Sequence, residues 1–560
     1  MIDLSHARST LEIKDGGVAE PLSWLEQSWK DPESFYRALM QTSSRLAGAL
    51  RSTPEGGISL YHDLVMRHVR SAAPALRFFD RKNGWQSLSY EQLHLRASER
   101  ASQWASLGIK AGSVVALLFP PGPELWVAIA ACLRLGTCWS LLPTRGVLLL
   151  KQRLETLGPS HVITLRVFVP LLEGCPGQPV LEDGPPMPKL ALHPPHTYAQ
   201  EELAAQLFSP CRAPLEAATP CPAGMLLRRA LRDFHLAYQL NPGESLAHPG
   251  AHVLQHLPLH ALATLAGGGT YLQVGLEEVQ LEPLRWLEQP AQTLVISEHL
   301  REILLMQPAQ ALPVRLWLAN PEAPLQWDRW VRLIEQRKLE KILHGNLVLD
   351  PAELGAALTS RLRRGRVTTL VQPPPGLTPP ADENLEALAL GAEDGSPRLL
   401  VRMGQEWAYG GSRFPSRSGR LYPHDQVLAL VSQRDPAGQE IVQGVLLVLP
   451  QVGVANAKRF VLLVFLGDER LDFPAAQLEA LRQQLVRRVG WALGDEAVPD
   501  RVELLQMAPR MLKDQPDEGW CQRLYLSGRL QKRTQDPLYR AVRGLKAALK
   551  EAQEVGSKGT

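Results

Sequence analysis

The chain has 560 residues, a net charge of +3 and a hydrophobic content of 45%. That length exceeds one core and predicts two or more domains. The near-neutral balance speaks against nucleic acid or an acidic membrane surface as a partner. Six cysteines (Cys132, Cys138, Cys175, Cys211, Cys221, Cys521) lack CxxC spacing, the pattern of reduced thiols in a cytoplasmic protein. The N-terminus MIDLSHARSTLEIKDGG has no signal-peptide core. No apolar run reaches the roughly 20 residues of a spanning helix.

Near the N-terminus, Asp31 caps a helix with Pro32 at its first position. Leu88–Leu142 is the clearest passage. Ser89 and Gln92 form a capping box, and Leu93, Ala97, Ala101 and Trp104 recur at helical spacing until Gly108. Val114–Phe119 reads as a strand, Pro120-Pro121-Gly122 as a turn, and Pro123 opens a second helix through Trp126, Ile129 and Leu133. A short strand follows at Cys138–Leu142. Helix, strand, helix, strand is an α/β unit with a parallel sheet. Leu150–Leu157 and Ser160–Thr164 continue it, and the Pro- and Gly-rich stretch 174–200 reads as a long surface connection.

Leu226–Tyr238 reads as one helix with Leu227, Leu231 and Phe234 on a face. His252, His256 and His260 fall at i, i+4 and i+8, but Pro258 interrupts a helix across them, so structural histidines are favoured over a metal. Thr293–Leu305 reads as strand then helix, and Trp327–Arg337 as a helix. Val442–Leu449 and Phe460–Leu466 are apolar strands, and Phe473–Val489 is a helix with Leu478, Leu481, Leu485 and Val489 in register. Asp536–Ala552 is amphipathic, with Leu538, Val542, Leu545 and Leu549 in a stripe. It either docks on its own domain or binds a protein partner through 537–552.

The passage SYEQL…LGIKAGSVVALLFPPGPELWVAIAACLRLG resembles the N-terminal part of the acyl-adenylate-forming superfamily, which includes acyl-CoA synthetases, luciferases and peptide-synthetase adenylation domains. Trp24–Tyr36 resembles the lead-in of acetyl-CoA synthetases, Leu257-Pro258-Leu259-His260 the family's P-L-x-H segment, and Val498–Leu505 a strand of its small C-terminal domain. The resemblance implies an α/β fold: a large N-terminal domain of parallel-sheet subdomains with a small β-barrel-like part, and a small α+β C-terminal domain. The expected layout is an adaptor at 1–58, the large domain at 59–423, the small domain at 424–530 and a helical tail at 531–560.

The same resemblance locates the nucleotide-handling segments, and there this chain departs. The phosphate loop T-S-G-S/T-T-G-x-P-K-G falls on Leu207–Thr219, which contains no glycine. Pro210 and Pro214 remove N–H donors, Glu216 puts negative charge where phosphate would sit, and only Arg212 offers a cation, with Ser209 as a further candidate contact. The family's Thr-Glu pair is absent near Asp350, and its ribose-gripping aspartate near Tyr409 is missing. Aligned from Pro509, the catalytic lysine position holds Gln515, with Lys513 two residues early. His260 is implied to border an acyl pocket.

These losses remove both positioning and charge stabilisation from adenylation. The expectation is a catalytically degenerate acyl-CoA-synthetase-like protein, leaning away from an enzyme, that binds partner proteins and needs no cofactor. Two alternatives remain. One is a divergent ATP-dependent acyl-CoA ligase using Mg²⁺, CoA, Arg212, Asp350 and Lys513. The other is an acyl-CoA or small-ligand sensor without turnover.

Overall fold

The computed structural model describes residues 31–530 apart from 54–55, 184–191, 211–213, 321–326, 351–354, 361–384, 392–396, 404–405, 411–415, 418–419, 433–442, 451–457, 467–473 and 514, together with 532 and 536. The amphipathic stripe at 537–552 and Arg212 lie outside the described residues. Two compact units divide the chain. The first holds Met1–Thr144, Leu150–Ser412 and Ser418–Arg420; the second holds Arg145–Leu149, Arg413–Arg417 and Leu421–Thr560.

In the first unit, helix α1 (Pro32–Ala47) starts at Asp31, whose side chain accepts from Ser34 N–H. The short helix α2 (Leu60–Leu64) is followed by an antiparallel pair, β1 (Pro74–Asp80) and β2 (Gly84–Ser89). Helix α3 (Tyr90–Ser106) begins with the expected reciprocal capping box of Ser89 and Gln92. The chain continues as β3 (Val114–Leu118), α4 (Pro123–Leu135), β4 (Cys138–Leu142), α5 (Val147–Leu157), of which the part from Leu150 belongs to this unit, and β5 (His161–Thr164). Pro123 opens α4, and Gly136 closes it in the left-handed region at φ 79°.

Next come β6 (Gln178–Leu181), β7 (Leu203–Phe208) and β8 (Ala218–Pro222). The strand β6 corrects the reading of 174–200 as connection alone: Val162 and Ile163 of β5 pair it in parallel, which compensates for Pro179 on an edge strand. The resulting six-stranded sheet has the order β6-β5-β3-β4-β7-β8. All of its pairs are parallel except the β7–β8 hairpin.

A second correction concerns Leu226–Tyr238. Helix α6 (Ala223–Arg232) does not continue to Tyr238; it widens into a π-turn at Asp233–Ala237. Tyr238 N–H donates to Asp233 C=O at 2.8 Å, a five-residue step. Gln239 then turns the chain at φ 50°, rare for a residue with a Cβ. Such π-turns concentrate at functional sites.

The remaining elements are β9 (Ser245–Ala247), α7 (Leu257–Gly267), β10 (Thr270–Gln273), α8 (Leu276–Leu281), β11 (Thr293–Ser297), α9 (Glu298–Leu305), β12 (Leu316–Asn320), α10 (Trp327–Arg337), β13 (Leu343–Asp350) and β14 (Gly355–Ser360). They complete an eight-stranded sheet ordered β14-β13-β12-β11-β9-β10-β1-β2, whose six inner strands are parallel and whose two edge strands are antiparallel. Strands buried on both faces need the continuous apolar runs found here, such as TLVIS and LWLAN. β15 (Leu385–Gly391), β16 (Pro397–Met403) and β17 (Glu406–Gly410) form an antiparallel three-stranded sheet; no closed barrel occurs among the described residues.

The second unit is α+β. Gln443–Pro450 pairs antiparallel with Lys458–Phe465, which pairs in parallel with Arg501–Leu505. The helix Ala475–Leu493 starts two residues later than the sequence implies, because Pro474 caps rather than joins it. Tyr422 stacks on Phe460, with ring centroids 4.1 Å apart, and donates to Ala497 C=O at 2.6 Å. No helix is long and apolar enough to cross a membrane, and no disulfide forms among the described residues.

Candidate functional site

Ligands of open α/β sheets bind beyond the carboxyl ends of the strands. In the eight-stranded sheet that edge carries a buried imidazole cluster. His248 directly follows β9, Asn320 ends β12, His256 caps α7 and His260 lies one turn into α7. Pro258 sits in the first turn of α7, where no intrahelical N–H is needed, so it permits this arrangement. All three of His248, His256 and His260 are at most 1% exposed.

The protons of this cluster follow from its hydrogen bonds. Tyr238 is fully buried, and its hydroxyl has one partner among the described residues, His260 Nδ1 at 3.2 Å. Burial pushes the Tyr238 phenol well above its usual range, so it stays protonated and donates. His260 Nδ1 therefore accepts, and its ring proton sits on Nε2, 2.9 Å from His248 Nδ1. His248 accepts there in turn, so its own proton sits on Nε2. That nitrogen has no partner among the described residues.

His256 belongs to the same cluster, its ring 4.3 Å from that of His248. Its Nδ1 accepts the His252 backbone N–H at 2.9 Å, which places the proton on Nε2. The Asn320 side-chain amide lies 3.0 Å from that Nε2. Its carbonyl end must face the ring, since amide ends are told apart only by such networks.

Burial holds every ring neutral. His260 is lowered to about 3 by desolvation. His248 and His256 are held well below 6.5 by desolvation first, then by neighbouring imidazoles and the Arg420 guanidinium. Behind the cluster His260 stacks on Tyr271, and Tyr271 on Trp126, with centroids 5.5 and 5.7 Å apart. No group of three or more metal-ligating side chains occurs among the described residues.

The segment Leu207–Thr219, assigned to the phosphate loop by the resemblance alone, runs from β7 to β8. Ser209 follows β7 and is 3% exposed. Among the described residues a buried cation reaches this loop from far away in sequence. Arg153 on α5 is buried, donates from Nε to Leu215 C=O at 3.1 Å and faces Phe208 at 5.6 Å. Burial lowers its guanidinium to about 10, and the Glu216 carboxylate opposes that shift. Glu216 thus meets an internal positive charge rather than a free cradle.

The other sequence candidates are dispersed. Asp350 ends β13 opposite Gly355, and Tyr409 pairs with Leu400 between β16 and β17. In the second unit, Lys513 sits in the turn of a hairpin at φ 49°, and Gln515 pairs with Leu512 beside it; both are exposed. His260 has both ring nitrogens occupied, while His248 carries the open one. His248 stands four residues before His252 and so extends the same four-residue series, but it sits just after the end of β9 rather than on α7.

A parallel sheet of this order, with α6 and α7 packed against it and a hairpin loop after β7, is the fold of acyl-CoA synthetases. The solved acyl-CoA synthetase of Brucella canis superposes with a TM-score of 0.51 at 16% identity, covering 88% of this chain and 97% of that one. A double mutant of o-succinylbenzoate CoA synthetase from Bacillus subtilis, bound to its product analogue, superposes at 0.58 with 13% identity over 82% of this chain and 97% of that one. Residues 66–209 match the family described as AMP-binding enzyme. Acetyl-coenzyme A synthetase of Yersinia pseudotuberculosis is 32% identical over 97 residues, 17% of this chain and 15% of that protein. Its counterpart in Cronobacter sakazakii is 28% identical over 134 residues, 21% of each. The matched stretches thus span well under two thirds of those relatives. The fold is thus that of acyl-CoA synthetase structures, and residues 66–209 are similar to the AMP-binding enzyme family.

Proposed function

We propose that this chain is a catalytically degenerate acyl-CoA-synthetase-like protein. It acts as a non-catalytic binding, scaffold or regulatory subunit in a complex with partner proteins, through surfaces that include the 537–552 stripe. It uses neither ATP and Mg²⁺ nor CoA in turnover. The observation that carries this reading is the β7–β8 loop. It has no glycine, two prolines, and a carboxylate at Glu216 within the field of the buried Arg153. Phosphate brought there would meet like charge at Glu216 and lack the N–H donors that glycines free. Adenylation depends on such positioning and charge stabilisation for almost all of its rate.

The test is ATP–pyrophosphate exchange by the purified chain with acetate and longer carboxylates, beside an active acetyl-coenzyme A synthetase. The expected outcome is exchange at the level of the protein-free blank. Exchange that disappears in Lys513→Ala would overturn the reading and establish the chain as a divergent ligase.

A further inference from the structure

The imidazole cluster has a use that neither packing nor adenylation explains. Its hydrogen bonds form a directed chain: Tyr238 donates to His260, His260 donates to His248, and His248 Nε2–H has no acceptor among the described residues. A buried donor with no acceptor is costly and rare. The chain starts at the π-turn and the left-handed Gln239, and the carbonyl oxygens there are held by Thr293 Oγ1 at 2.8 Å and Arg315 at 2.6 Å. Backbone departures of this kind persist where the surroundings over-determine them.

We infer that His248 is the receptor of a proton-linked site for a small oxyanion, with Tyr238 and His260 as the relay that lets it take up a proton when the anion binds. The neutral chain presents one N–H to an oxygen acceptor. An anion at that point also stabilises an imidazolium. A second N–H on His248 needs an acceptor at Nδ1, and only a chain of this kind supplies one. His248 gains a proton on Nδ1, His260 changes tautomer from Nε2–H to Nδ1–H, and Tyr238 Oη accepts a hydrogen bond from His260 Nδ1–H in place of donating one. The net change is one proton gained, with both His248 nitrogens donating and the Tyr238–His260 hydrogen bond reversed.

The groups facing His248 fit this role. They are His260 from α7, His256 from the α7 cap with His252 behind it, and the Arg420 guanidinium, which also acts on His256 and His299. Among the described residues no carboxylate acts on His248 or His256. The field of these described groups is therefore positive once His248 is charged, and an incoming anion balances it. The inference stands whether or not ATP binds elsewhere, since none of these residues belongs to the phosphate loop.

The test is calorimetric titration of the full chain with sulfate and, separately, acetate. Both keep their charge between about pH 6 and about pH 8. The buffers are imidazole and bis-Tris propane, whose different ionisation heats report proton uptake. The expected result is binding of at least one of the two ions, tightening by about tenfold per pH unit toward acid, with uptake of about one proton per ion. His248→Asn abolishes binding. Tyr238→Phe keeps the fold, removes the far acceptor, and weakens binding by about tenfold with a smaller proton uptake. Binding of neither ion, binding without proton uptake, or a folded His248→Asn chain that binds normally would each overturn the proposal. If His248→Asn does not fold, a Tyr238→Phe chain that binds with unchanged affinity and proton count overturns it instead.

Discussion

Acidification from about pH 7 to about pH 5 is expected to destabilise the first unit by several kcal/mol. The cause is the buried cluster. His248, His256 and His260 are neutral in the folded chain, with affinities for protons held below the usual 6.5, and His260 held down to about 3. The unfolded chain binds a proton at each of these positions once the pH falls below about 6.5. Stability from neutral burial is therefore fully present above that pH. It is lost as pH falls toward the folded values, by up to about 1.4 kcal/mol per pH unit for each ring. Three rings together approach the whole stability of a typical domain by about pH 5. Urea midpoints across this range, read by the near-ultraviolet signal of the buried tryptophans, check the slope. A midpoint flat down to about pH 5 would mean that the rings are not buried neutral.

Trp126→Ala carries the other large effect. Trp126 is 1% exposed, stacks on Tyr271 and donates from Nε1 to Gln273 Oε1 at 3.3 Å. It closes the stack that backs His260. Truncation leaves a cavity that the parallel sheet cannot collapse around, and costs about 3–5 kcal/mol. The urea midpoint falls with little change in slope, because the surface exposed on unfolding is nearly the same. A loss below about 1 kcal/mol would mean that Tyr271 and His260 repack into the space.

Much of the fold was legible because local signals agree with it. Ser89, Gln92, Pro123 and Gly136 mark element ends by chemistry that does not depend on the rest of the chain. The apolar runs of β3 and β11 need both faces covered, and a parallel sheet supplies that. The candidate site was not legible to the same degree. In an unbroken helix Tyr238 would follow Phe234 on one face; the π-turn at Asp233–Ala237 rotates it onto His260, and nothing in the period of ALRDFHLAYQL announces an extra residue. His248 comes from a strand end and His260 from a helix, so their contact is a property of the sheet order, not of spacing. Arg153 reaches the β7–β8 loop from 62 residues away in sequence, which is why the loop alone seemed to offer only Arg212 as a cation.

The central claim is that the fold persists while the phosphate site does not. Calorimetric titration of the full chain with Mg-ATP tests it most directly, at protein concentrations able to detect a dissociation constant of about 1 mM. Absence of saturable heat is the expected result and leaves Leu215 C=O and the Glu216 carboxylate facing Arg153. Saturable heat that vanishes when the loop's Ser209 is changed to proline would contradict the claim, because phosphate would then be held where Glu216 and two prolines stand against it.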